Sequence, residues 1–298
     1  MSHEHNHDHT HTFTSLNKAF TIGITINLLF VVAEFAAGLY THSMGLLSDA
    51  GHNLSDVASL ILAMLAFRLA RVRSNHKYTY GYKKSTVLVS LLNAVILLVA
   101  VGVIIAESIE KILRPQPVEG GIIMVVAGIG VVINAFTAWL FMKDRERDLN
   151  IKGAYLHMTA DALVSVGVVV SGGVIIYTGW HFIDPVIGLV VAAVIVYSTW
   201  SLLQDSIRLS LDGVPKNIDR DEIEALIRTV AAVKDIHHLH IWALSTTETA
   251  LTAHIVVSDT SRMETVKSRI KHLLHDHAVS HVTLEFETGE TDCPDSCI

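Results

Sequence analysis

Long apolar blocks before residue 205 constrain this chain more than any other feature of it. They lie at roughly 18–39, 45–68, 84–110, 118–141, 153–178 and 185–203. A helix needs about 20 such residues to cross about 30 Å of hydrocarbon, and each block has the length. One block alone is compatible with a buried soluble helix, but six in the first two-thirds of the chain read as six membrane spans. Composition agrees: charged residues make up 17% of the chain, below the roughly 25% usual in soluble proteins. The start, Met1-Ser2-His3, has no basic leader with a cleavage site, so the first span is expected to persist in the mature protein.

Charge placement sets the expected orientation. Arg68, Arg71, Arg73, Lys77, Lys83 and Lys84 follow the second block, and Lys143, Arg145, Arg147 and Lys152 follow the fourth. The connections on the other side hold only Lys111 and Arg114. Basic connections stay inside, which predicts that both termini are cytoplasmic. The chain divides into a His-rich tail (1–17), a membrane domain (18–203), a polar domain (204–290) and a Cys-containing tail (291–298). Residues 204–298 carry a net −7, and the remainder is neutral. An acidic segment argues against nucleic acid as a partner.

Ionisable residues inside a span are costly and mark a pathway by default. The second block contains Asp49, His52 and Asp56, and the fifth contains His157 and Asp161. Each thus carries His-x-x-x-Asp, which puts imidazole and carboxylate on one helix face. A single copy is compatible with a plain ion pair, but two copies in separate spans predict one site. Two imidazoles and two carboxylates suit a tetrahedral Zn²⁺, and the absence of sulfur favours Zn²⁺, Cd²⁺ or Co²⁺ over Cu⁺. These ligands must shed protons to take metal, so proton counterflow can drive metal release. No phosphate-binding loop for ATP is present, and no organic cofactor is expected. Asp49 reads as a helix cap or as an entry or exit ligand, with capping preferred. Glu34 reads as a path residue or a partner across helices. Asn27, Asn53, Asn93 and Asn134 are expected to hydrogen-bond between spans.

After the sixth block the periodicity changes. A helix over 217–232, strands over 236–244 and 249–257, a helix over 260–275 and a strand over 279–287 predict an α-β-β-α-β unit. The expected fold class is therefore an α-helical membrane protein of six transmembrane helices with a small α+β C-terminal domain. So small a unit has a limited core, and pairing with a second copy is expected. His237 and His254, with Glu285 and Glu287 nearby, form a candidate second metal site, to which His238, His240 and His281 are possible additions. Strict alternation predicts His238 and His240 on one strand face and His237 on the other. The tails hold His3, His5, His7, His9 and His11 at one end, and Cys293 and Cys297 at the other, as candidate ion-collecting groups.

These residues carry a resemblance. The run Ser48 to Asp56, His157-x-x-x-Asp161, the loop from His76 to Tyr82, and His237 to Trp242 are similar to the cation diffusion facilitator family, in its bacterial zinc/cadmium/cobalt efflux branch. The resemblance covers nearly the whole chain. It implies a homodimeric metal/proton antiporter in the cell membrane, with His52, Asp56, His157 and Asp161 as the transport site. It also implies regulatory metal at His237, His254 and Glu285. Some members hold a further site in the connection between spans two and three. Here His76 matches one of its positions, but Arg73 stands near the acid's place and Tyr80 or Tyr82 at the second histidine's. The rival readings are a metal-selective channel, a manganese- or iron-preferring member, a membrane-embedded zinc enzyme and a metal sensor. The enzyme lacks a His-Glu-x-x-His motif, and a sensor leaves Asp56 and Asp161 without a purpose.

Overall fold

The computed structural model describes residues 8–41, 44–114, 120–180 and 182–288, with side chains from residue 18 onward except at 38, 41, 44–49, 51, 52, 55, 120–123 and 184. The side chains of Asp49, His52, His9 and His11, together with His3, His5, His7, Cys293 and Cys297, therefore lie outside the described residues.

Long helices follow the apolar blocks: α1 (Asp8–Thr41), α2 (Met44–Ala70), α3 (Ser85–Leu113), α4 (Gly120–Met142), α5 (Leu149–Thr178) and α6 (Ile183–Ser210). Three of them overrun the apolar limits for local reasons. Helix α1 begins at Asp8, because no Pro or Gly interrupts the residues that precede the block. Helix α5 begins four residues early, where Asp148 caps it by accepting from the backbone N–H of Asn150 and Ile151 at 2.7 and 3.2 Å. Helix α6 continues past residue 203 until the left-handed Asp212 (φ 56°) and Gly213 end it. Pro185, in its first turn, costs it no hydrogen bond.

Among the described residues, five of these helices are long and apolar enough to cross a membrane: α1, α3, α4, α5 and α6. Helix α2, at 27 residues, has the length and carries the polar run around Asp56.

Polarity in this bundle is inverted relative to a soluble protein. Leu29, Val32, Val99, Val132, Trp139 and Val190 are exposed, while Asn27, Glu34, Asn53, Asp56, Asn93 and His157 are buried. That is what a hydrocarbon solvent selects, since it gains nothing from apolar burial but penalises unpaired polar groups. Part of the expected inter-span bonding is present: Asn27 Nδ2 donates to Thr137 Oγ1 (3.0 Å), and Asn53 Nδ2 to Glu34 Oε2 (2.8 Å). By contrast, Asn93 Oδ1 has no hydrogen-bond partner among the described residues.

Helix α5 is the centre of the bundle. Its Ile151, Ala154 and Met158 pack with Phe20 of α1, Leu60 and Ala63 of α2 and Phe141 of α4. Its Ala160 packs with Leu97 and Val101 of α3 and with Ala192 and Ile195 of α6. Close approach to α4 needs a glycine, because a Cβ on Gly172 would sit 2.6 Å from Met124 Sδ.

The second compact unit combines residues 204–288 with the α2–α3 connection, 70–88. It contains α7 (Arg220–Arg228), β1 (Val233–Ala243), β2 (Thr249–Val257), α8 (Met263–Asp276) and β3 (His281–Glu287), in the expected α-β-β-α-β order. Asp219 caps α7. The sheet order is β1-β2-β3, antiparallel and then parallel, with α8 as the crossover that a parallel pair requires. Ile236, Ile241, Leu251, Ile255, Ile223, Ile227, Ile270 and Leu274 build the core between one sheet face and the two helices.

The connection is tied down by two lysines. Lys84 Nζ donates to Asp212 Oδ1 (2.5 Å), Leu209 O (2.9 Å) and Ala243 O (3.0 Å). Lys83 pairs with Glu248, and Thr246 N–H donates to Thr86 Oγ1 at 3.1 Å. Gly81 turns the chain at φ 70°, where a Cβ would also sit 2.8 Å from Val72 O.

Candidate metal centre

Helices α2 and α5 bring three of the four expected transport ligands to one point. His157 Nε2 hydrogen-bonds Asp56 Oδ1 at 2.6 Å and lies 3.8 Å from Asp161 Oδ2. One ligand atom from each of the three residues falls within 4.8 Å of the others. His157 and Asp161 share a face of α5 because they are four residues apart. Asp56 reaches them across a separation of 101 residues, held by the packing of Leu60 and Ala63 one and two turns further along α2. The site is nearly dry: Asp56 is 3% and His157 5% exposed, and Asp56 Oδ2 has no hydrogen-bond partner among the described residues. Two carboxylates this close repel when ionised, and a bound dication would remove that cost. The side chain of His52, the fourth expected ligand, lies outside the described residues, as does that of Asp49. Glu34 is buried on α1 and bonded to Asn53, so of its two expected roles the structure exhibits the pairing across helices.

A second cluster lies on the sheet face opposite the core. Register places His237, His254 and Glu285 side by side on β1, β2 and β3. The closest grouping nevertheless takes Glu287. His254 Nδ1 hydrogen-bonds Glu287 Oε1 at 2.6 Å, and His237 Nε2 lies 3.3 Å from Glu287 Oε2. Glu285 sits at the rim, 70% exposed against 15% for Glu287, with Oε2 3.4 Å from His254 Nε2. His237, His254 and Glu287 are thus the set with metal-binding proximity.

Strict alternation along β1 does not hold. A bulge between His237 and His240 sets His238 at φ 49°, and its ring lies 5.4 Å from that of His237 and 4.9 Å from that of His254. His238 therefore joins the cluster that the period-2 pattern denied it, because a bulge inserts one residue and resets the pleat. His240 is exposed, 6.4 Å ring to ring from His238. His281 meets Tyr80 edge-on at 5.3 Å. His76 is exposed and belongs to no metal-binding group among the described residues.

The helical segment and the small α+β unit each match the profile of a known protein family. The profile of the cation efflux transmembrane domain matches residues 20–209, and that of the cation efflux protein cytoplasmic domain matches 215–288. The chain belongs to the cation efflux family. It is 38% identical over 264 residues to a cadmium, cobalt and zinc/H(+)-K(+) antiporter of Bacillus subtilis, covering 87% of this chain and 85% of the relative. It is 33% identical over 298 residues to the zinc transporter ZitB of Escherichia coli, covering 99% and 94%. It is 34% identical over 283 residues to the metal cation efflux system protein CzcD of Cupriavidus metallidurans, covering 94% and 89%. This member of the cation efflux family is a multi-pass membrane protein of a transporter family, not of an enzyme family.

Sequence reasoning did not single out Asn53 as the partner of Glu34, nor the anchoring of the 70–88 connection by Lys83 and Lys84. The lysines carried a signal only as basic residues, which orientation alone accounts for.

Proposed function

We propose that this protein exports Zn²⁺, and also Cd²⁺ or Co²⁺, from the cytoplasm by exchange for protons. It works as a homodimer of six-span subunits in the cell membrane, with both termini inside. The observation that carries this reading is the buried triad Asp56–His157–Asp161, with His157 Nε2 within 3.8 Å of both carboxylates. His52 completes a two-nitrogen, two-oxygen set that suits tetrahedral Zn²⁺. The ligands load when deprotonated, and protons arriving from outside compete the metal off. The names of the relatives support metal efflux, and the Bacillus relative's name adds K⁺ as a further counter-ion to test.

His237, His254 and Glu287 take a second Zn²⁺ as a regulatory ligand, joined by His238 and Glu285. Occupancy there adjusts transport through a free-energy coupling between two sites. The His-rich start and the Cys pair collect ions for the same traffic. The connection carrying His76 is assigned no metal.

The test is uptake of Zn²⁺, Cd²⁺, Co²⁺ and Mn²⁺ into proteoliposomes under an imposed pH gradient, for wild type and Asp161→Ala. Wild-type flux should follow the proton gradient, and the variant should be inactive. Metal flux indifferent to protons would point to a channel, and undiminished transport by the variant would sink the site assignment.

A further inference from the structure

Helix α1 buries one acid, Glu34, at 2% exposure within an apolar span. A carboxylate there is expensive, and packing alone would be served better by a leucine. Its Oε2 accepts a hydrogen bond from Asn53 Nδ2 at 2.8 Å. Asn53 lies on α2, beside His52 and one turn before Asp56. It also lines a partly open cavity of about 30 Å³ whose wall includes Asn134, Ser165, Phe30, Gly130 and the ligand Asp161. That volume holds one or two waters, and its polar lining supplies their partners.

We propose that Glu34 is a positioning residue for metal transport, which fixes the Asn53 amide in the cavity wall facing Asp161. So held, Asn53 contacts the water shell of a divalent cation as the ion joins or leaves Asp161. A cation that must shed water in a dry bundle needs fixed polar groups at the point of exchange, and an amide free to rotate would supply them poorly. Glu34 thus acts through Asn53, without itself ligating the ion. This inference rests on the transport site proposed above.

The experiment is a double-mutant cycle on the full-length protein in proteoliposomes, reading KM and Vmax for Zn²⁺. Glu34→Leu should raise KM roughly tenfold or more, the loss expected for one charge-assisted hydrogen bond. Glu34→Gln keeps a carbonyl to accept from Asn53 and should stay within about twofold of wild type. Asn53→Leu should reproduce Glu34→Leu, and the double variant should be no worse than either single one. Should the leucine variants fail to fold, Asn53→Ser replaces the amide by a shorter hydroxyl, drawing the donor back from Glu34 without apolar bulk, and carries the same expected rise in KM. The proposal is overturned by a wild-type KM in Glu34→Leu or Asn53→Ser, by Glu34→Gln as impaired as Glu34→Leu, or by single losses that multiply in the double variant. Failure of the transport site itself would look different: Asp161→Ala would then be as active as wild type.

Discussion

His157 Nε2 lies 2.6 Å from Asp56 Oδ1, joining the fifth helix to the second through an imidazole and a carboxylate that are both buried. Removing one partner of such a pair leaves the other unpaired, at a cost of about 3–5 kcal/mol. Removing both in favour of leucine takes the Asp56 charge away as well and leaves Asp161 as the one carboxylate of the triad, where His157→Leu alone leaves two. We therefore expect His157→Leu to destabilise the protein more than the pair His157→Leu/Asp56→Leu does. All such variants should gain less in melting temperature from Zn²⁺ than wild type does, the remainder coming from the His237–His254–Glu287 cluster. Thermal unfolding in detergent, with and without Zn²⁺, checks both statements, and a Zn²⁺-dependent shift in the double variant as large as that of wild type would contradict them.

Glu287, not Glu285, closes on the two histidines of the C-terminal unit. Glu287→Ala should weaken Zn²⁺ binding to this cluster by roughly tenfold or more, the value of a charge-assisted contact, while Glu285→Ala should change it by less than about threefold. Calorimetric titration in an Asp161→Ala background isolates the second site. Equal losses would mean that the register row, His237–His254–Glu285, is the functional one.

Lys84 holds one carboxylate and two main-chain carbonyls, from α6 and β1. Lys84→Ala should free the 70–88 connection from the unit that contains it. The measurement is hydrogen exchange of residues 78–88, which should speed up by about tenfold, as expected for the loss of roughly 1–2 kcal/mol of charge-assisted bonding. Unchanged exchange would show that Lys83, Thr86 and Tyr80 suffice.

At the end of α7, the Arg228 guanidinium hydrogen-bonds Asp235 of β1 and holds its carboxyl below the usual carboxylate range. A lowered folded-state pKa contributes stability that is present above the unfolded value, near 3.9, and is lost as pH falls through the folded one. Both groups are largely exposed, so the contribution is that of a surface pair, about 0.2–1 kcal/mol. Asp235→Asn should lower stability by that amount at pH 7 and leave it unchanged below about pH 2, where the carboxyl is protonated anyway. Denaturant titrations at the two pH values read the difference.

The α-β-β-α-β order was legible, with element ends off by up to four residues except in one strand: the predicted strand 249–257 coincides with β2, because the alternation of Leu251, Ala253, Ile255 and Val257 records one buried face. The bulge at His238 was not legible, since a residue inserted into a ladder leaves no mark on local composition and is seen only against its partner strand. The same holds for Glu285 and Glu287, which alternation places on one face alike. Which of them turns inward depends on the neighbouring strand.

What the sequence determined by itself was the pair of His-x-x-x-Asp motifs, the apolar helices and the small α+β unit. Those follow from periodicity and from the cost of charge in hydrocarbon, which act along the chain. Only the tertiary structure decided which helices meet. It packed α2 against α5 so that Asp56 reached His157, it paired Glu34 with Asn53, and it anchored the 70–88 connection on Asp212 and Glu248. Contacts between distant segments depend on how side chains fill the space between helices, and no local period encodes that fit.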